Sequence, residues 1–576
     1  MKTKISELVG SYRSGNKSPR EALEEVAEGV AAASAQNAFI SSFSLESMLE
    51  ALTQRDPSLP LYGVPFSVKD NIDVRGLPTT AACPSFKYFP TENAPVVERL
   101  CQAGAIVVGK TNMDQFATGL VGTRSPYGEC RSVFNSDYIS GGSSSGSAVS
   151  VALGLSTFSL GTDTAGSGRV PASFNNLVGL KPTRGLVSTR GVVPACRSLD
   201  CVSLFAHSVA DAKLLLNLVS GVVPLDPFAR PASFCVGLGD GLARLAVPRT
   251  EDLEFFGDSE SAELFAAAVK QAQGLGWKIE SFSLEPFLEA ARLLYSGPWV
   301  AERLAPLESF LKSAPAGMDS VVHEILLGGH RHTAVDTFRA QHRLSELKLQ
   351  IAPILAHFDA LLLPTAPTHY RVAEVLSDPI TLNARLGTYT NFVNLLDLSA
   401  LAIPAGFRKN GLPFGVTLMG PAFAEPRLLE LGERFLGEGS KRERSTGAVW
   451  LAVAGAHLSG QPLNHELTSR GARRIQTCKT SSDYQLFALA TTPPKPGLVR
   501  TPGKAGHAIE VEVWELSAEA FGSFVAQVPE PMTIGVTTLS DGTQVKGFNC
   551  ESYALEGARN ISEFGGWRAF RAGRPE

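Results

Sequence analysis

The chain carries GGSSSGS at Gly141–Ser147 and GTDTAGSGR at Gly161–Arg169, two loops of small residues separated by an apolar stretch. The stretch Ser147–Gly154 is typical of a helix, so the whole region is not a flexible linker. Upstream, SVKDN at Ser67–Asn71 follows an apolar run. Each motif alone is weak evidence for a catalytic centre, because Gly/Ser loops more often form turns or phosphate-binding loops.

The sequence on either side of these loops predicts an α/β fold. Helical patterns are found in residues 1–50 and Pro95–Gln102, and residues 260–350 are expected to be mostly helical. Short apolar runs bounded by Gly, Pro or Asp predict buried strands at Gly63–Val68, Ala105–Val108, Ala360–Pro364 and Ala400–Gly406. Strands that alternate with helices indicate a sheet covered on both faces.

A charged, Gly/Ser-containing break predicts a domain boundary at residues 437–447. It separates a domain at 1–436 from a smaller one at 448–576. The smaller domain is expected to be α+β or β-rich, with an Asp541-Gly542 turn joining two of its strands. Its predicted strands are Val511–Leu516, Met532–Leu539 and Val545–Cys550.

The composition of the 576 residues, with 44% hydrophobic and 19% charged side chains, is that of an ordinary globular protein. A net charge of −4 gives no reason to expect a nucleic-acid or membrane partner. Eight cysteines without a Cys-x-x-Cys pair, and no signal peptide in Met1–Glu25, predict reduced thiols and a cytoplasmic location. Because no ligand cluster with metal spacing is found, we expect no metal or organic cofactor, and His330 and His332 are interpreted as surface residues.

Four motifs in order resemble the pattern of the amidase signature family. They are Val68-Lys69-Asp70, the two Gly/Ser loops, and GLKPTRG at Gly179–Gly185. The serines Ser143 and Ser167 are 167 − 143 = 24 residues apart, which is the family's loop–helix–loop spacing. The resemblance covers about residues 1–436 and implies the amidase-signature fold, a central mixed sheet covered by helices, and hydrolysis of an amide.

The resemblance implies a catalytic triad of Lys69, Ser143 and Ser167. Ser167 would attack the amide carbon and form an acyl-enzyme, which divides a difficult hydrolysis into two steps. Ser143, following a cis peptide after Gly142, would relay the proton to Lys69. A lysine can act as a base only when neutral, and burial can lower its pKa from about 10.4 toward about 7.

The same resemblance places an oxyanion hole in the loop Gly161–Arg169, which carries Ser167 and is called the nucleophile loop below. Small residues there allow the backbone to approach the substrate. We expect Asp163 and Arg169 to brace the loop rather than react. The expected donors are the backbone N–H groups of Thr164, Ala165, Gly166 and Ser167.

Two segments resemble the allophanate hydrolases of the family, namely Thr164–Pro171 and YSGPWVAER at Tyr295–Arg303. Allophanate is a small urea-like amide bearing a carboxylate. Arg303 could bind that carboxylate bidentately and Tyr295 could add a hydroxyl, since a spacing of eight residues puts both near one face of a helix. Gly122, in a segment unlike that of the amidotransferase subunits, is a further candidate substrate contact. The alternative is an amphipathic helix with Tyr295 in the core and Arg303 in a salt bridge.

The segment Val453–Asn464 resembles the opening of γ-glutamylcyclotransferase-like domains, with Ala454 and Ala456 in place of the family's Tyr and Thr. The resemblance implies a role in processing the carboxylated first product or in assembly. His457 is the candidate general acid–base residue of this domain. A hydrogen-bonded loop histidine is the alternative.

Together these features predict an allophanate hydrolase that produces ammonia and carbon dioxide. It is expected to be a homodimer, associated with a urea carboxylase or an enzyme of a cyanuric-acid pathway. The first alternative is a general amidase or a glutamyl-tRNA amidotransferase A-type subunit. The second is a non-catalytic assembly protein, which the presence of Lys69, Ser143 and Ser167 disfavours.

Overall fold

The structure, a computed structural model, describes residues 3–232, 243–313, 315–438, 448–491, 495–502 and 506–573. Its contacts divide the chain into two compact units. Of the described residues, those up to 438 form the first unit and those from 448 onward form the second. Most of the predicted linker, residues 439–447, lies outside the described residues.

The first unit is built on one large mixed sheet, and the predicted central mixed sheet is confirmed. Strands β2, β3 and β4 run parallel to one another, while β4, β6, β5, β10, β11 and β9 follow in antiparallel pairs. The spatial order is β1-β3-β2-β4-β6-β5-β10-β11-β9-β7-β8. The strands are β1 Phe39–Ser42, β2 Pro65–Lys69, β3 Ile106–Thr111, β4 Phe158–Asp163, β5 Val178–Lys181, β6 Cys201–Ala206, β7 Arg244–Pro248, β8 Lys278–Phe282, β9 Ala360–Pro364, β10 Ser399–Phe407 and β11 Pro413–Gly420.

Helices pack against this sheet. Every residue of β2, β3, β4, β6 and β11 is buried, so both faces of these strands are covered, as expected for an α/β protein. The helices are α1 Ile5–Ser14, α2 Pro19–Ala32, α3 Leu45–Thr53, α4 Pro95–Gln102, α5 Ser145–Leu153, α6 Val170–Phe174, α7 Val209–Val219, α8 Ser259–Gly274, α9 Glu285–Ser296, α10 Trp299–Leu304, α11 Glu308–Leu311, α12 Ser320–Leu327, α13 Ala334–His357, α14 Val372–Ser377, α15 Thr381–Leu386, α16 Phe392–Leu395 and α17 Glu425–Phe435.

Most of the local predictions are confirmed, including strands β2, β3, β9 and β10 and helix α4. The start of α2 has a complete capping box, because Ser18 accepts from the Glu21 N–H and the Glu21 side chain accepts from the Ser18 N–H. One expectation for residues 1–50 is wrong in part. Phe39–Ser42 is not helical but forms β1, which pairs with β3 at the edge of the sheet.

The parallel strands position the candidate catalytic residues. Lys69 is the last residue of β2, and Asp163 is the last residue of β4, which runs in the same direction. The loops after these strands therefore emerge at one edge of the sheet, where the carboxyl ends of parallel strands create a crevice. Helix α5 begins just after Ser143 and packs on β4, which brings the two Gly/Ser loops together.

The second unit has the expected α+β composition, with two small sheets. One sheet has the order β13-β16-β12-β18-β17, and the Asp541-Gly542 turn joins β17 to β18 as predicted. The other has the order β15-β14-β19. The elements are β12 Ala448–Val453, α18 Asn464–Thr468, β13 Arg473–Lys479, β14 Tyr484–Ala488, β15 Pro496–Arg500, β16 Glu510–Ser517, α19 Ala518–Val525, β17 Met532–Thr538, β18 Gln544–Cys550, β19 Arg559–Asn560 and α20 Trp567–Arg571.

Candidate active site

Lys69, Ser143 and Ser167 form a continuous hydrogen-bonded chain. Lys69 Nζ lies 2.8 Å from Ser143 Oγ, and Ser143 Oγ lies 2.9 Å from Ser167 Oγ. All three side chains are buried. The arrangement can move a proton from Ser167 through Ser143 to a neutral Lys69, because each step spans one ordinary hydrogen bond.

Burial lowers the pKa of Lys69 from its usual value to about 7. Desolvation of the ammonium is the main cause, and the carboxylates of Asp114, Asp200 and Asp163 oppose it. Arg303 adds to the lowering, which means that its positive charge is close enough to act on Lys69. The neutral amine that a base requires is therefore available near neutral pH.

The Ser143 loop is folded as the resemblance implies. The peptide bond between Gly142 and Ser143 is cis. A Cβ atom on Gly142 would overlap a carboxylate oxygen of Asp114, so glycine is required by close approach. Asp114 is itself held by the N–H groups of Val121 and Gly122 at 3.1 Å.

Asp163 and Arg169 brace the nucleophile loop in the manner expected from the sequence. Arg169 Nε and Nη2 donate to the two carboxylate oxygens of Asp163 at 2.9 Å, and both side chains are fully buried. Burial alone would raise the pKa of Asp163, but the Arg169 guanidinium lowers it below its usual value. Asp163 also accepts from the N–H groups of Gly166 and Gly168 at 3.0 Å, so the loop around Ser167 is held from within.

One of the four N–H groups expected to form the oxyanion hole already has a hydrogen-bond partner. The Gly166 N–H donates to Asp163 Oδ1, so this amide is not available as the structure stands. The other three expected donors, the N–H groups of Thr164, Ala165 and Ser167, have no hydrogen-bond partner among the described residues. The Thr164 hydroxyl donates to Asp200, whose carboxylate also accepts from the Ala195 N–H.

The expectation that Tyr295 and Arg303 share one helix is wrong. Tyr295 belongs to α9 and Arg303 to α10, because the chain leaves the helix at Gly297-Pro298. The two side chains nevertheless meet. Arg303 Nη2 lies 3.4 Å from Tyr295 Oη, and the guanidinium carbon lies 5.2 Å from the centre of the tyrosine ring.

Arg303 does not form the salt bridge of the alternative interpretation. Arg303 is 1% exposed, and its guanidinium forms no ion pair with a carboxylate in the described part of the chain. Glu302 instead accepts from the N–H and hydroxyl of Ser198 at 2.7 Å. A buried, unpaired guanidinium is costly unless an anion or hydrogen bonds compensate it, so Arg303 is suited to binding a carboxylate.

Gly122 lies against the Ser143 loop with φ +78. A Cβ atom there would lie 2.7 Å from Ser140 Oγ and 2.9 Å from the Gly141 carbonyl, so only glycine fits. Its N–H donates to Asp114 and its carbonyl accepts from the Cys130 N–H. The Gly122 carbonyl oxygen has a second lone pair that can accept another hydrogen bond. The contact between Gly122 and a substrate stays a prediction.

Sequence reasoning missed several residues of the site. Thr162 Oγ1 accepts a 2.7 Å hydrogen bond from Lys69 Nζ, and its place inside the GTDT motif was the available signal. Asp200 belongs to no motif, and Thr118 lies in the same distinctive segment as Gly122 but was not singled out; both approach the site through the folding of the chain. Burial raises the pKa of Asp200 to about 6.

The predicted residue of the second unit, His457, lines a cavity of about 160 Å³. His457 Nε2 lies 3.0 Å from a carboxylate oxygen of Glu466, and its ring stacks on Phe548 at 5.2 Å. Burial lowers the pKa of His457, whereas Glu466 opposes the shift. The cavity is mostly apolar, with Lys495 also in its lining. The histidine therefore combines a hydrogen-bonded position with access to a cavity.

No group of His, Cys, Asp and Glu side chains within the described ranges could hold a metal ion. No helix in the same ranges combines the length and apolar character needed to cross a bilayer.

Comparison with known proteins identifies the class that this fold and site define. The chain belongs to the amidase family, whose model matches residues 21–429, and it is an amidohydrolase. A second family model, the allophanate hydrolase C-terminal domain, matches residues 449–572. The amidase-signature fold and the separate C-terminal domain are thus confirmed.

The relatives are consistent with this assignment. The chain is 44% identical to urea amidolyase of Saccharomyces cerevisiae over 95% of its own length and 32% of that protein. The structure of Kluyveromyces lactis allophanate hydrolase is similar, with a TM-score of 0.76, 41% identity and 99% coverage of both chains. The A-type subunit of the glutamyl-tRNA(Gln) amidotransferase of Exiguobacterium sibiricum is 35% identical over 65% of this chain and 84% of that protein. The chain spans about a third of the length of the urea amidolyases that it matches.

Proposed function

We propose that this chain hydrolyses allophanate, with Ser167 as the nucleophile. The observation that carries the proposal is the buried guanidinium of Arg303, which lacks a carboxylate partner among the described residues and acts electrostatically on Lys69. A substrate whose amide lies at Ser167 and whose carboxylate lies at Arg303 satisfies both groups. Allophanate has both features within a few atoms.

Acylation begins with proton transfer along the hydrogen-bonded chain. Ser167 gives its proton to Ser143 as it attacks the terminal amide carbon, and Ser143 gives its own proton to neutral Lys69. The direction of transfer follows from the pKa of Lys69, which at about 7 leaves much of the amine neutral at physiological pH. Thr162 holds the lysine in place through its hydroxyl.

The developing oxyanion is stabilised by backbone N–H groups. Thr164, Ala165 and Ser167 contribute amides that are not engaged by other described residues. Such donors stabilise the transition state more than the substrate, because they are fixed before charge develops. The Gly166 amide could contribute only by leaving Asp163.

Collapse of the tetrahedral intermediate releases ammonia, which takes the proton held on the Ser143–Lys69 pair. Water then attacks the acyl-enzyme with the same pair as base, and N-carboxycarbamate is released. This product loses carbon dioxide, so that two molecules of ammonia and two of carbon dioxide result overall. The Ser143–Lys69 pair thus carries the proton in both halves of the reaction.

The similarity to urea amidolyase and to Kluyveromyces lactis allophanate hydrolase supports this choice of substrate. By extension we propose a cytoplasmic homodimer that works with a urea carboxylase or a cyanuric-acid-pathway enzyme as the source of allophanate. In the second unit, His457 would assist the conversion of the carboxylated product as a general acid–base residue, supported by its contact with Glu466 and its place in the cavity.

The competing function is that of an amidotransferase A-type subunit or general amidase, which the 35% identity to the Exiguobacterium protein supports. Ammonia release from allophanate, glutamine and acetamide by the purified chain separates these alternatives. We expect rapid release from allophanate alone and none from Ser167→Ala. Release from glutamine or acetamide, but not from allophanate, would contradict the proposal.

A further inference from the structure

The residues that hold Arg303 lie in an unusual turn at Phe116–Thr118. Phe116 and Ala117 both have left-handed backbone conformations, with φ of 50 and 52. Residues with a Cβ atom rarely adopt this conformation, so the surroundings must impose it. The Phe116 ring is packed edge-on against Phe86 and Phe310, at centroid distances of 5.2 and 6.0 Å.

Backbone hydrogen bonds fix the same turn. The N–H groups of Phe116 and Ala117 donate to the carbonyls of Ala81 and Asp114 at 3.0 Å. The Thr118 carbonyl accepts from Arg124 Nη1 at 2.9 Å. The turn is therefore held on several sides and presents its remaining polar groups in fixed directions.

Two of those groups face Arg303. The Ala117 carbonyl and the Thr118 hydroxyl lie 3.5 and 3.3 Å from Arg303 Nη1. The Thr118 hydroxyl donates its own proton to the Phe116 carbonyl at 3.2 Å. Because a hydroxyl has one proton and two lone pairs, Thr118 is left as an acceptor toward the guanidinium.

The described neighbours of Arg303 are thus neutral acceptors: a carbonyl, the hydroxyl of Thr118 and the hydroxyl of Tyr295. They orient the guanidinium through neutral hydrogen bonds. The carboxylates of Asp200 and Glu302 act on it electrostatically but form no ion pair with it in the described residues. Its Nε atom is buried and has no partner in the described part of the chain. A dehydrated, oriented guanidinium binds a carboxylate more strongly than it binds a neutral amide.

We propose that Thr118 is a specificity-determining residue that orients Arg303 through a neutral hydrogen bond and so keeps its charge for the substrate carboxylate. This inference rests on the proposed function. Thr118 is a positioning residue in this scheme, since it acts through Arg303. Thr118 is therefore expected to favour anionic ligands over neutral ligands of the same shape.

Allophanate and biuret provide the test, because biuret has a neutral carboxamide in place of the carboxylate. Binding of each is measured by calorimetry in a Ser167→Ala background, where no hydrolysis occurs. Thr118→Val keeps the shape of the side chain and removes the hydroxyl. We expect its Kd for allophanate to rise on the order of tenfold, the usual effect of losing a hydrogen bond to a charged group, and its Kd for biuret to rise much less.

Two variants serve as controls. Thr118→Ser retains the hydroxyl and should retain the parent's selectivity. Thr365→Val removes another buried hydroxyl, one that bonds to Thr417 at 2.8 Å in the sheet, and should leave the selectivity ratio unchanged. If Thr118→Val does not fold, Thr118→Ala removes the same hydroxyl with less steric demand.

An unchanged ratio of the two Kd values in Thr118→Val, or an equal loss of both ligands, would overturn the inference while leaving the proposed function intact. Failure of the Ser167→Ala parent to bind allophanate, together with failure of the wild-type chain to hydrolyse it, would refute the proposed function itself.

Discussion

Lys69 Nζ lies 2.8 Å from Ser143 Oγ in a fully buried position, and it forms no ion pair with any carboxylate in the described residues. An ammonium group in such a place is destabilised by desolvation, which is why the pKa of Lys69 falls to about 7. The contacts of Lys69 differ from those of Lys110, another buried lysine, whose pKa is also lowered by burial. Lys110 lies 3.3 Å from the carboxylate of Asp70, which stabilises its charged form.

The pH dependence of the reaction follows from this pKa. Since the folded-state pKa of Lys69 is lowered, the neutral base predominates above about pH 7 and the inactive ammonium below it. We expect kcat/KM for allophanate to rise with pH through a single midpoint near 7. Lys69→Arg, which stays charged at every accessible pH, should lower kcat by about 10²–10⁴-fold. A midpoint near 10 in the wild-type profile would contradict the assignment of Lys69 as the base.

Arg303→Gln tests the carboxylate site. Removing the guanidinium should raise the KM for allophanate by about 10²-fold or more, because a charge-assisted bidentate contact is lost. Arg303→Lys should give an intermediate KM, since it keeps the charge but not the planar pair of donors. Steady-state ammonia release gives both constants. A wild-type KM in Arg303→Gln would exclude the carboxylate contact.

The three side chains of the proposed triad could be picked out from the sequence because they lie in short, ordered motifs. Lys69, Ser143 and Ser167 are each at the end of a strand or in a loop whose Gly and Ser content is itself unusual. The strands β2, β3 and β9 were predictable for a related reason, since each is a short apolar run bounded by turn-forming residues.

Other features depend on contacts that a local pattern does not contain. Asp200 reaches Thr164 across 36 residues, and Thr118 reaches Arg303 across 185 residues. The Gly297-Pro298 pair ends α9, so the helical spacing of Tyr295 and Arg303 does not decide their geometry. Tyr295 and Arg303 lie close together, as the sequence predicts, but they do not share a helix. The turn between α9 and α10 brings the two side chains into contact.

Gly166→Ala tests the geometry of the nucleophile loop. Gly166 has φ +135, and a Cβ atom there would overlap the side chain of Thr390. The loop must shift, so we expect kcat to fall by about 10²-fold through misplacement of Ser167 and its neighbouring amides. Gly10→Ala is the matched control, because no atom lies within 4 Å of the added methyl group. It should retain wild-type kcat, and equal kcat values in the two variants would contradict the prediction.

The buried pair of Asp163 and Arg169 is expected to stabilise the first unit as well as the loop. Arg169→Met leaves the Asp163 carboxylate buried without its partner and should lower the free energy of unfolding by about 3–5 kcal/mol. Arg20→Met breaks the exposed pair with Glu24 and should cost less than about 1 kcal/mol. Urea unfolding followed by circular dichroism compares them. Similar losses in both variants would show that the buried pair has no special role.

His457→Ala separates the proposed roles of the two units. The first ammonia should be released at the wild-type rate, because the hydrogen-bonded chain from Lys69 to Ser167 lies within the first unit. If His457 acts on the carboxylated product, that product should accumulate, and the release of carbon dioxide should lag behind the first ammonia. Rapid-quench sampling with ¹³C-labelled allophanate measures both. Glu466→Gln should produce the same lag to a smaller degree, since it removes the charge that favours the protonated form of His457. Simultaneous release of ammonia and carbon dioxide by His457→Ala would instead make His457 the hydrogen-bonded loop histidine of the alternative interpretation.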